Sequence, residues 1–134
     1  MKFETSSNLA IWHRTEQVFG RLIQAEQFET PPKLIVCTNN CLSAFACFKR
    51  NLVLITESFC ELYAKDGSLA AVLGHELGHI KCKHDGDRNL ERELEVDHYG
   101  IILARQAGFS DQEIRECEKF LWGLRLERFK ENFH

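Results

Sequence analysis

The sequence predicts an α+β domain: a helix, a small three-stranded antiparallel sheet, then helices to the end. Three observations predict it. Apolar residues recur at helical spacing before Pro31 and again after Asp66. Three short strand-like runs lie between, at 34–37, 43–48 and 52–56. Polar turn residues, Thr38-Asn39-Asn40 and Lys49-Arg50-Asn51, separate those runs. With 134 residues and neither repeat nor linker, the chain reads as one domain over 1–134, long enough to bury a core.

The elements follow in order. Ser6 or Ser7 can cap a first helix to about Phe28, with Leu9, Trp12, Phe19, Leu22 and Ile23 on its apolar face. Thr30-Pro31-Pro32 ends it, since proline lacks an N–H and pushes the residue before it out of the helical region. In the middle strand Ala44, Ala46 and Phe48 alternate with Ser43, Phe45 and Cys47. The small residues on one face leave room for something to lie against it. A short helix is expected over Glu57–Ala64, and Asp66-Gly67-Ser68 starts the next, which runs to about His84. Asp85-Gly86-Asp87 is a turn. A further helix runs from about Asp87 to Ala107 and stops at Gly108. Ser110-Asp111-Gln112-Glu113 is a capping box for a last helix that nearly reaches the end.

Composition narrows the function. A formal charge of -3 gives no reason to expect nucleic acid or an anionic membrane as partner. No apolar run approaches the ~18 residues of a membrane helix. Met1-Lys2-Phe3-Glu4 opens no signal-peptide core, so a cytoplasmic chain is the simplest reading. The six cysteines contain no Cys-x-x-Cys pair and are read mostly as reduced core residues.

The chemistry lies in His75-Glu76-Leu77-Gly78-His79. Two histidines four apart on a helix face one way and can present two nitrogens to one metal ion. In such a motif the glutamate, here Glu76, is the general base for the attacking water. Chance alone places H-E-x-x-H in roughly three of a hundred chains of this composition, so the case turns on a third ligand. If the chain turns at Gly86 and the next helix packs back antiparallel, residues equidistant from Gly86 lie level. Glu93 is then level with His79, and Asp97 with His75. That suits two His and one Glu on zinc, with Asp97 accepting the spare ring N–H of His75. A turn one residue longer or shorter shifts the register by ~1.5 Å, so the count favours Glu93 over Glu91 and Glu95 without excluding them. The metzincin pattern fails: Cys82 stands where its glycine belongs, and Met1 is the one methionine. Cys82 and His84 are read as structural, with His84 pointing away from the His75/His79 face. Tyr99, Arg105, Arg125 and Arg128 are candidate oxyanion donors.

Three segments resemble one family. Leu69-Ala-Ala-Val-Leu-Gly-His-Glu-Leu-Gly-His79 is similar to the active-site helix of the gluzincin peptidases of the HtpX and CAAX prenyl protease family. Glu93-Leu-Glu-Val-Asp97-His-Tyr-Gly100 is similar to its E-x-x-x-D segment, and Ser43-Ala-Phe-Ala46 to its N-A-F-A edge strand. The compact size resembles the soluble minigluzincins. The resemblance implies a zincin-like minimal domain with an active-site helix, an antiparallel glutamate helix and a C-terminal helix. It implies Zn2+ held by His75, His79 and Glu93, Glu76 as base, and Asp97 supporting a zinc-binding histidine. It implies that the strand carrying Ser43, Ala44, Phe45 and Ala46 receives an extended peptide by strand addition. Val96 replaces the usual Ala, Ser43 replaces Asn, and the membrane helices of larger relatives are absent, so the implied substrate is a soluble peptide or protein. Two other readings remain: a latent peptidase whose end, Phe129–His134, enters the cleft, and a non-enzymatic module stapled by zinc. Substrate identity and oligomeric state are not legible.

Overall fold

A computed structural model of the chain describes residues 4–38, 41–84 and 89–118. The elements are α1 (Leu9–Ala25), β1 (Lys33–Cys37), β2 (Ala44–Cys47), β3 (Leu52–Thr56), α2 (Glu57–Leu62), α3 (Asp66–Lys81) and α4 (Leu90–Gln106). Residues 111–118 are helical again. The α+β class is as the sequence predicts. The turn at 85–88 and the chain beyond 118, including Arg125, Arg128 and Phe129–His134, lie outside the described residues.

The sheet differs from the expected antiparallel meander. Its order is β1-β3-β2, with β1 parallel to β3 and β2 antiparallel to it. The physical reason is burial. Leu52-Val-Leu-Ile-Thr56 is a continuous apolar run, and Val53, Leu54, Ile55 and Thr56 are all buried. Such a strand belongs between two others, whereas β1 and β2 each tolerate an edge. The N-terminal segment covers the outer edge of β1: Ser6 N–H donates to the Val36 carbonyl at 2.7 Å and Thr38 N–H to that of Glu4 at 2.8 Å. Among the described residues, β2 pairs only with β3, so its other edge is open.

Helix α1 is capped by Asn8, whose side chain accepts from Ile11 N–H, one residue beyond the expected serines. Ser6 bonds Glu57 instead. Helix α3 has no solvent-facing side over most of its length. In the fold every residue from Gly67 to Ile80 is buried, because α3 packs against α1, β2, β3 and α4 together. Leu69, Leu73 and Leu77 are fully buried. At about 1.5–3 kcal/mol each, they hold in place a helix that also buries two histidines and a glutamate.

Two ends of α3 were not legible. Its N-cap position, Lys65, makes no side-chain cap. Glu113 supplies it from the far end of the chain, its Oε1 accepting from Gly67 N–H at 2.9 Å while Ser68 Oγ donates to the Glu113 carbonyl at 2.7 Å. Glu113→Ala is therefore expected to lower stability by about 1 kcal/mol, with Glu113→Gln closer to wild type, as urea denaturation will measure. At the other end the helix stops at Lys81 rather than His84. Lys83 takes a left-handed φ of 56°, Lys83 N–H donates to Ile80 O and His84 N–H to His79 O. This is the Schellman arrangement, with lysine in the place usually held by glycine.

Candidate metal centre

Helices α3 and α4 meet through glycine. A Cβ on Gly100 would lie 2.6 Å from His75 N and 2.8 Å from Gly74 C, and one on Gly74 would lie 2.9 Å from Gly100 Cα. A Cβ on Gly78 would lie 3.0 Å from side-chain atoms of Val96 and Tyr99. Early α3 thus opposes late α4, the helices run in opposite directions, and their backbones nearly touch. That contact sets how far a side chain on one helix must reach to the other.

Across it, His75 Nδ1–H donates to Asp97 Oδ1 at 2.6 Å. His75 Nε2 lies 3.0 Å from Glu93 Oε2, and His79 Nε2 lies 3.5 Å from Glu93 Oε1. Ligand atoms of His75, His79 and Glu93 all fall within 4.8 Å of one another, and the three residues are at most 9% exposed. Glu91 and Glu95 are exposed, which separates them from Glu93 where counting alone did not. Asp97 fixes the tautomer: with its proton on Nδ1, a neutral His75 offers the Nε2 lone pair to the point that Glu93 and His79 share.

Charge explains why the cluster tolerates burial. Burial alone would lower the His75 pKa, but hydrogen bonds to Asp97 and Glu93, and the charges of Glu76 and Asp97, outweigh it and raise the pKa. Burial would raise Glu93, yet the two histidines hold it well below the usual carboxylate range. The carboxylates thus favour a positively charged group at this point.

The site also contains buried polar atoms that a folded chain does not normally leave unbonded. Glu76 Oε2 and His79 Nε2 have no hydrogen-bond partner. Each would cost about 1–3 kcal/mol if nothing met it. Two imidazole nitrogens and a carboxylate are the donor set of a zinc site with a position left open for water. The residues fit such an ion.

The other predicted residues fall as follows. Ala44, Phe45 and Ala46 lie on β2, the open edge strand, which packs beside α3. Ala44 and Ala46 face the core, so their small side chains make room for α3 rather than for a ligand. Ser43 precedes the strand, and both its backbone groups engage Thr56: its N–H donates to Thr56 Oγ1 and its carbonyl accepts from Thr56 N–H. Two oxyanion candidates are committed elsewhere. Tyr99 Oη donates to Glu26 Oε2 at 3.0 Å, and Arg105 Nε donates to Asp111 Oδ1 at 2.6 Å. His84 does not point away. Its Nδ1 lies 3.1 Å from His79 Nδ1, a contact that the left-handed Lys83 creates and helical extrapolation misses.

Fold and site together define a class: an α+β domain in which two packed helices bring two histidines, a glutamate and a further buried carboxylate to one point, as a metal-dependent hydrolase requires. The sequence pattern of peptidase family M48 matches residues 13–121, a span that includes all of these groups. The chain belongs to that family, whose members are metal-dependent proteases. No curated protein matches it.

Proposed function

We propose that the chain is a zinc endopeptidase, similar to the HtpX and CAAX prenyl protease gluzincins, acting on soluble peptides or proteins. The observation that carries this reading is the convergence of His75, His79 and Glu93 within 4.8 Å beside a buried glutamate, Glu76, with an unpartnered oxygen. His75, His79 and Glu93 would hold the ion. Zinc, when bound, supplies a Lewis acid that lowers the pKa of water to near 7 and polarises the scissile carbonyl.

The chain's own residues do the rest. Glu76 takes the proton of the attacking water and passes it to the leaving amine. Asp97 holds the His75 ring proton, keeping its other nitrogen available. The open edge of β2 supports an extended substrate pairing with the backbone of Ala44, Phe45 and Ala46, next to the motif helix. A soluble substrate suits a chain in which no described helix is long and apolar enough to cross a membrane.

Removing bound metal with a chelator is expected to abolish cleavage of casein or a peptide library, and one equivalent of zinc to restore it. Undiminished cleavage by protein verified metal-free by elemental analysis would refute the proposal.

A further inference from the structure

We propose that His84 is a positioning residue that accepts the ring Nδ1–H of His79 and so fixes which nitrogen of His79 faces Glu93. This rests on the zinc reading above. Asp97 does this for His75, and no residue so far has done it for His79.

The geometry begins with the turn that ends α3. The left-handed Lys83 folds the chain back so that His84 N–H donates to His79 O at 2.9 Å. The two imidazoles then stand edge to face, centroids 5.2 Å apart at 65°, with Nδ1 of one 3.1 Å from Nδ1 of the other. The His84 side chain is only 12% exposed, so the contact is largely shielded from water.

Two facing ring nitrogens at that distance share one proton: one donates and the other accepts. His79 Nε2 is the nitrogen on the Glu93 side, at 3.5 Å, and has no hydrogen-bond partner. If Nε2 offers its lone pair, a neutral His79 carries its proton on Nδ1, and His84 Nδ1 must accept it. The proton of His84 then sits on Nε2, which lies 3.9 Å from Glu95 Oε2. The order is Glu95, His84, His79, then the point shared with Glu93.

The placement of these protons rules out a competing use of the same residues. Cys82, His84 and Glu95 also bring ligand atoms within 4.8 Å of one another. An ion held there through His84 Nε2 would leave the proton of a neutral His84 on Nδ1, against the Nδ1–H of His79. The two uses exclude each other.

The test is zinc affinity by chelator competition on the full chain, comparing wild type, His84→Asn and His84→Leu. Asparagine places Oδ1 about where the histidine Nδ1 stood and keeps an acceptor. Leucine keeps bulk and loses it. His84→Asn should retain wild-type affinity, and His84→Leu should bind about 10–100-fold more weakly, the effect typical of losing such a partner. In the nitrogen-15 spectrum of the zinc-loaded protein, a slowly exchanging Nδ1–H should belong to His79 in wild type and His84→Asn, and be lost in His84→Leu. Equal affinities in wild type and His84→Leu would overturn the proposal alone. So would a shared proton assigned to His84 in wild type, which needs no variant to fold, or a second ion that Cys82→Ser removes. A wild-type chain that binds no zinc would overturn this proposal and the peptidase reading together.

Discussion

Glu76→Gln is expected to lower kcat for peptide hydrolysis by about 10²–10⁴-fold, the range a positioned general acid–base group contributes. Zinc content and thermal stability should stay close to wild type. The amide has the size of the carboxyl but cannot take a proton from water. Glu76 Oε2 makes no hydrogen bond in the folded chain, so the substitution breaks no bond at that oxygen. The two histidines that flank it in sequence reach Glu93 and Asp97 without its help. Steady-state kinetics on a fluorogenic peptide, with elemental analysis of the same sample, separate catalysis from metal binding. Wild-type kcat in Glu76→Gln would remove Glu76 from the chemistry. Loss of metal together with activity would make it a ligand instead.

The second large effect is on stability. Gly100→Val should destabilise the chain by more than the 1–3 kcal/mol typical of overpacking. Even the Cβ would sit 2.6 Å from His75 N, 2.8 Å from Gly74 C and 3.1 Å from Ala71 O. These are all backbone atoms of a buried helix, so no side chain can swing aside. The helices must part, and the distance from Glu93 to His75 and His79 grows with them. Zinc affinity should therefore fall along with stability. Gly20 is the control. It lies within α1, and a Cβ there would meet nothing within 4 Å. Gly20→Ala should be stabilising by about 0.5–1 kcal/mol. Urea denaturation of both variants distinguishes a required close approach from glycine content as such. A Gly100→Val protein as stable as wild type would refute the glycine-mediated contact.

The sequence carried the site further than it carried the sheet. Counting outward from Gly86 used only helix geometry and a reversal of direction, and in the structure Glu93 and Asp97 stand against His79 and His75. Glu93 also reaches His75, because the helices are drawn together by Gly74 and Gly100, whose role no spacing rule revealed. The sheet order was missed because a turn-rich linker between two strand-like runs suggests a hairpin locally. Burial of the β3 run, which is settled across the whole molecule, placed that strand in the centre instead. Glu113 was correctly seen as a capping residue but assigned to its own helix, whereas its carboxylate caps α3. His84 was misplaced for a similar reason. Its direction depends on a lysine in a conformation that propensity assigns to glycine.

In the proposed function Glu93 completes a three-residue zinc site with His75 and His79. Elemental analysis and chelator competition on purified wild type and Glu93→Ala test it most directly. One zinc ion per wild-type chain is expected, lost from a Glu93→Ala protein that still folds. Wild-type stoichiometry and affinity in Glu93→Ala would contradict it.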